Sequence, residues 1–225
     1  MKKILFFVFT SLFFVIAISG CAKTVPTAGD STPTATPIVY VNGFLMQANG
    51  NALIKVSLKA NSSSGSIISG ATISLNGASV PESATPGIYS QSVTGGFTAG
   101  STITFSVTTS LGNVSGATTM PLGASITAPT TGATISHSSM FQINYTNPGP
   151  DGSNVFFYLS SPLEYSYEYF ISSPGASYSV SSNTIATNSY YISATGDKVM
   201  SLTNAVSTSQ FAIYNSSNTI LVTIN

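Results

Sequence analysis

The sequence predicts an all-β protein whose folded part is two sandwich modules in tandem, and three observations lead there. Beyond Ile38 the chain is a succession of short apolar or alternating stretches separated by Gly, Pro, Asn and Ser at intervals of roughly ten residues, the strand spacing of a sandwich. No stretch of useful length repeats apolar residues at the helical period, so no amphipathic helix competes. Of the 225 residues, 43% are hydrophobic and 11% aromatic, enough apolar surface for a core although only 5% are charged. The low charge therefore marks an uncharged polar skin, supplied by 39 serines and 28 threonines, rather than disorder.

The first element is an address. Met1-Lys2-Lys3 precedes a run from Ile4 to Ile18 in which only Thr10 and Ser11 are polar, the basic start and apolar middle of a secretory signal. As a helix the run would be about 22 Å long, short of the roughly 30 Å hydrocarbon core of a bilayer, so a permanent span is disfavoured. It closes on Ile18-Ser19-Gly20-Cys21, where a branched apolar residue and two small residues lead into the only cysteine of the chain. This resembles the lipobox of bacterial lipoproteins. The resemblance implies cleavage before Cys21, a diacylglycerol on its thiol and acylation of its new amino group. An ordinary signal peptide with an incidental cysteine is the alternative. Two or more acyl chains hold a protein stably where one holds it marginally, so Cys21 would anchor the protein to a membrane without a span. Ala22, not Asp, follows the cysteine, which in lipoproteins of double-membraned bacteria implies delivery to the outer membrane. The expected localisation is thus the cell envelope.

Removal of the signal takes Lys2 and Lys3 with it, leaving four lysines, no arginine and six acids, a net charge of −2. No basic cluster remains to neutralise phosphates, which excludes nucleic acid as a partner. With its one cysteine lipidated, the chain can form no internal disulfide. Residues 21–37 then form a Thr-, Ala- and Pro-rich tether with Pro26, Pro33 and Pro37 and no apolar periodicity, expected to be disordered. It reaches from about 22 Å as a coil to about 50 Å extended.

The first module, 38–122, has expected strands at 38–47, 53–60, 67–75, 88–93, 102–108 and 114–120. Within 53–60 the residues Leu53, Lys55, Ser57 and Lys59 fall on one face and Ile54, Val56, Leu58 and Ala60 on the other. Asn76-Gly77 and Pro86-Gly87 are tight-turn signals. Pro121-Leu122-Gly123 interrupts the pattern and opens the second module, 123–225, with expected strands at 125–128, 140–145, 154–159, 165–171, 176–180, 190–194, 199–202, 211–214 and 219–224. The phrase from Ile126 through Pro129 and Gly132 to Ile135 resembles the opening of bacterial immunoglobulin-like domains, and Gly70 to Gly77 with Gly87-Ile88-Tyr89 is loosely similar to surface-protein modules of that fold. The resemblance implies tandem immunoglobulin-like β-sandwich modules and names no activity. The string Gly-Ala-Thr-Ile-Ser occurs at 70–74 and again at 132–136, but the match does not extend into its surroundings.

Candidate sites are few. His137 is the one imidazole, expected in a solvated loop, and no G-x-S-x-G elbow accompanies it. Glu164 and Glu168 would lie about 13 Å apart along a strand, beyond the about 5 to 9.5 Å of paired glycosidase carboxyls. The loop from Asn147 to Asn154 offers oxygens but one carboxylate, Asp151, so a turn is expected there rather than a calcium site. No catalytic residue, metal site or cofactor is expected. The tyrosines of the second module are the better candidates, because a ring with a polar tip suits recognition as well as it suits a sheet face. Tyr165, Tyr167, Tyr169, Tyr190 and Tyr191 form the candidate binding surface, within a richer set that includes Tyr158, Tyr178 and Tyr214. The expected function is a non-catalytic, lipid-anchored envelope scaffold, with an envelope protein or a glycan as partner. The alternative is a carbohydrate- or peptide-binding accessory module. Weakly charged strand edges would also allow pairing with another chain.

Overall fold

The computed structural model describes residues 38–159, 167–173 and 175–225, with only the backbone described over 167–173. The signal segment, Cys21, the tether and Tyr165 lie outside them. Every regular element among the described residues is a strand. Those of the first half are β1 (Val39–Ala48), β2 (Asn51–Ala60), β3 (Thr72–Leu75), β4 (Ala78–Ser79), β5 (Ile88–Val93), β6 (Thr102–Thr109) and β7 (Gly112–Thr119). Those of the second are β8 (Ser125–Ala128), β9 (Thr134–Ile135), β10 (Phe141–Thr146), β11 (Ser153–Tyr158), β12 (Tyr167–Ser173), β13 (Ser177–Val180), β14 (Asn188–Met200), β15 (Leu202–Thr203), β16 (Gln210–Ser216) and β17 (Thr219–Ile224).

They form three sheets. One runs β12-β11-β14-β16-β1-β2-β5, with β17 joined to β14 and β9 to β17; the others run β15-β7-β6-β3-β4 and β13-β10-β8. The large sheet is shared. At one end it packs on the five-stranded sheet, enclosing Val41, Leu45, Ile54, Val56, Ile73, Ile103, Phe105, Phe211 and Ile213 in a first core. At the other it packs on the three-stranded sheet, enclosing Ile126, Ile143, Val155, Phe157, Tyr190, Ile192, Val222 and Ile224 in a second. Two sandwiches thus stand on one continuous sheet.

The alternation in 53–60 puts Ile54, Val56 and Leu58 into the first core while Lys55, Ser57 and Lys59 stay partly exposed. The Asn76-Gly77 signal becomes the β3–β4 turn, with φ of 48° and 80° at the two residues, the left-handed pair that Asn and Gly adopt most readily. Other expectations are corrected. The stretch 67–75 is not one strand: Ile67 makes an isolated bridge to Lys59, and β3 starts only at Thr72 after Gly70 turns the chain at φ 71°. The two-residue β4 and β9 fall outside the expected strand ranges. The strands expected at 190–194 and 199–202 are joined as the 13-residue β14.

The polar Thr195-Gly196-Asp197-Lys198 reads locally as a turn, yet the ladder continues through it to β11 on one side and β16 on the other. Gly196 permits this: a Cβ there would lie 2.3 Å from the Leu122 carbonyl oxygen. Because β14 is unbroken, it gives Tyr190, Ile192 and Ala194 to the second core and Met200 to the first. The cores therefore do not divide strictly at 122 and 123, since Met200, Phe211 and Ile213 return to the first. Strand β16 reaches it by pairing in parallel with β1, from Asn42↔Gln210 to Ala48↔Ser216.

Candidate functional site

The shared sheet has a second face, turned away from both cores. Residues directly paired across a sheet project to the same side. Following the register places Phe44 and Met46 of β1, Tyr214 of β16, the series Tyr191, Ser193, Thr195 and Asp197 of β14, and Asn154, Phe156 and Tyr158 of β11 on this face. Its apolar part is a cluster of Met46, Phe156 and Tyr158 with Phe44 and Tyr214 against it. Phe156 stacks on Tyr158 at 5.9 Å and 20°, and meets Tyr214 edge-on at 5.8 Å and 76°. The Tyr158 hydroxyl donates to the Met46 sulfur at 3.5 Å. Strand β11 is buried along its whole length, as its unbroken Val-Phe-Phe-Tyr run requires of a strand covered on both sides.

Asp197 lies at the polar end of this face, only 7% exposed. Its Oδ1 accepts from the Thr195 hydroxyl at 2.5 Å and its Oδ2 from the Asn154 side-chain amide. The Thr195 Oγ1 also stands 3.2 Å from the Asn154 carbonyl oxygen and accepts from the Asn154 backbone N–H at 3.3 Å. Burial pushes the Asp197 carboxyl up to about 7; the bonds from Thr195 and Asn154 oppose the shift and the Asp151 carboxylate adds to it. Lys198, next in sequence, projects to the other side of the sheet, where its Nζ donates to Thr119 Oγ1 at 2.6 Å.

The expected turn between β10 and β11 docks here. Asn147, at φ 52°, donates from its side-chain amide to the Gly123 carbonyl at 3.3 Å. The Asp197 N–H donates to the Gly152 carbonyl at 3.3 Å, and the Asp151 carboxylate accepts from the Val199 N–H at 2.7 Å. The approach is close enough that a Cβ on Gly149 would lie 1.9 Å from the Asp197 nitrogen. Among the described residues no three His, Cys, Asp or Glu side chains converge on a metal position. Chemically, the arrangement holds a proton-binding carboxyl beside an aromatic face.

Of the tyrosines expected at a binding surface, Tyr190 is a correction. It is 2% exposed and meets Phe157 edge-on at 5.9 Å inside the second core, because its position in β14 faces inward. Tyr191, one residue on, faces outward at 38% exposure, paired with the equally exposed Leu221. Tyr167 and Tyr169 lie on β12, in register with Tyr158 and Phe157, and Glu168 lies between them; Tyr165 and Glu164 fall outside the described residues. Tyr178 packs partly buried on the second core.

His137 is half-buried rather than fully solvated. Its Nδ1 is 2.7 Å from the Ile185 carbonyl and its own carbonyl accepts from the Asn183 N–H at 2.8 Å, so it ties the 136–139 turn to the segment before β14. Sequence reasoning missed Asp197 and Phe156. The run of apolar residues in β11 was the available signal for Phe156. Asp197 carried none, since its partners come from 43 residues away and from its own strand.

No family model matches the chain, and no curated protein matches it. Among solved structures it is similar to the N-terminal Ig1-2 module of the Drosophila receptor protein tyrosine phosphatase DLAR, at 13% identity over 84% of this chain and 99% of that one, with a TM-score of 0.36. It is also similar to fibronectin(III)-like modules of Clostridium thermocellum CbhA, at 15% identity over 80% and 95% and a TM-score of 0.23. A third is Bacteroides ovatus SGBP-B in complex with a mixed-linkage heptasaccharide, at 10% identity over 86% and 61% and a TM-score of 0.24. Likenesses of this size assign the chain no ligand; its all-β architecture rests on its own strands and sheets.

Proposed function

We propose that the protein is a non-catalytic, lipid-anchored scaffold of a bacterial cell envelope, in which a stiff pair of β-sandwiches serves as a binding or spacing element held off the membrane by the tether of residues 21–37. The observation that carries the scaffold part is β14. A single strand that contributes to both cores, paired with β11 over 191–196 and with β16 over 196–200, cannot bend at the junction without breaking ladder hydrogen bonds. Tandem modules joined by a flexible linker would behave as two bodies, whereas these behave as one. The anchoring part is supported by the order of residues from Lys2 to Cys21.

The burial of Tyr190 and Tyr158 moves two rings from a recognition surface into the fold, which weakens the accessory-module alternative. Of the expected tyrosines whose side chains are described, Tyr191 is open, beside Leu221.

The anchor is tested by Cys21→Ala or by globomycin treatment of cells. An unprocessed or unanchored precursor is the expected result. Membrane attachment unchanged in either case would overturn the proposal.

A further inference from the structure

The hydrogen count around Thr195 decides what state the Asp197 cluster is built for. Its hydroxyl carries one hydrogen but faces two acceptors, Asp197 Oδ1 at 2.5 Å and the Asn154 carbonyl oxygen at 3.2 Å, while the Asn154 N–H already occupies a lone pair. If Asp197 is ionised, the charged oxygen takes that hydrogen and the Asn154 carbonyl loses this donor. If Asp197 is protonated, its own O–H donates to Thr195 Oγ1, the Thr195 hydrogen turns to the Asn154 carbonyl, and the Asn154 amide still donates to Oδ2. The ring of bonds closes only with the extra proton present.

We propose that Asn154, Thr195 and Asp197 form a proton-operated latch, which holds the turn of residues 147–152 on β14 when Asp197 is protonated and loosens it when Asp197 is ionised. The turn touches the latch through its own carboxylate, since Asp151 caps the Val199 N–H two residues beyond Asp197. An ionised Asp197 repels the exposed Asp151 carboxylate, an effect smaller than that of burial and of the same sign.

The other described groups that face Asp197 do not compensate. Asn154 on β11 is neutral, Tyr214 on β16 and Met46 beyond it on β1 bring no positive charge, and Lys198 on β14 projects to the other side of the sheet, bonded to Thr119. Burial places the titration near pH 7, inside the range an exposed envelope protein meets. The latch itself does not depend on where the protein is located.

Hydrogen exchange by mass spectrometry on the detergent-solubilised full-length protein tests this, at about pH 5 and about pH 9, either side of the titration window. After correction for intrinsic exchange, peptides covering 147–152 and 197–199 should lose about tenfold in protection at the higher pH, a difference of about 1.4 kcal/mol, while peptides of β6 stay unchanged. Asp197→Asn supplies a neutral donor in the same shape and should keep the protection high at both pH values. Asp151→Asn, which leaves the latch in place and removes the repulsion, should shrink the loss. Equal protection of the wild type at the two pH values would overturn the latch. So would an undiminished loss in Asp197→Asn or, should that variant not fold, in Asp151→Asn.

Discussion

Truncating Ile192 to alanine measures how tightly the two sandwiches are joined. Ile192 is fully buried in the second core, on β14, paired with Phe157 and Ile220. Removing a buried isoleucine side chain to the β-carbon costs about 2–5 kcal/mol, lost transfer energy and residual cavity together. At a urea slope of about 2 kcal/mol per molar, a 3 kcal/mol loss lowers the unfolding midpoint by about 1.5 M. The informative readout is where that loss is felt. Melting the second sandwich strips β14 from β16, and β16 holds Phe211 and Ile213 in the first core.

Native-state hydrogen exchange should therefore show the slowest amides of β6, which is remote from Ile192, losing the same free energy as those of β10. Urea unfolding should remain a single transition with an unchanged slope. Slow β6 amides unmoved by Ile192→Ala, or a second transition appearing at the wild-type midpoint, would refute the coupling.

Gly196→Ala should destabilise the protein by more than an ordinary strand substitution, in the range of about 1–3 kcal/mol by the overpacking route, because the added carbon meets a backbone oxygen that cannot rotate away; a chemical-denaturation midpoint equal to wild type would contradict the close packing at Leu122. Stability against pH should pass through a maximum in the mildly acidic range. Asp197 binds its proton more tightly folded than unfolded, so its contribution is complete below the ordinary 3.8 and falls away as pH rises to about 7, by up to about 4 kcal/mol; Asp197→Asn should flatten this limb in melts recorded from pH 4 to pH 8.

Glu82 acts in the opposite sense. Its carboxylate accepts from the Gly87 and Gly70 N–H groups at 2.5 and 2.8 Å, which together hold its pKa below the ordinary value, so its contribution is lost as pH falls through that lowered value. Glu82→Gln should lower the melting temperature at neutral pH and leave it unchanged at strongly acidic pH.

Local pattern accounts for most of what was legible in the sequence. The alternation of Leu53 to Ala60 fixes which face of β2 meets a core, and Asn76-Gly77 fixes a turn, because each is decided by neighbours in the chain. The Val-Phe-Phe-Tyr run of β11 carries a signal of burial on two sides that the strand assignment alone leaves unused. What was not legible depends on partners far away. Nothing near Asp197 in the sequence reveals Asn154, and Thr195-Gly196-Asp197-Lys198 has the composition of a turn; the ladders to β11 and β16 override it. The parallel pairing of β1 with β16 has no local signature, and it redraws the expected modules as sandwiches on a shared sheet. Tyr190 and Tyr191 differ by one residue and so by a whole face of the sheet, which composition alone does not decide.

The pairing of β1 with β16 also sets an order of events during biosynthesis. A chain emerging from its N-terminus delivers β1 to β7 well before Phe211 and Ile213, yet the first core encloses both of those side chains. The edge of β1 that pairs with β16 must wait unpaired until its partner, 168 residues further along the chain (210 − 42), has arrived, and contacts of such separation form slowly. The hairpins of the first half can pair as they emerge, but the first sandwich stays incomplete at the β1 edge until β16 appears. Closing that edge joins the last strands of the chain to the first, so the first core is finished by residues made late.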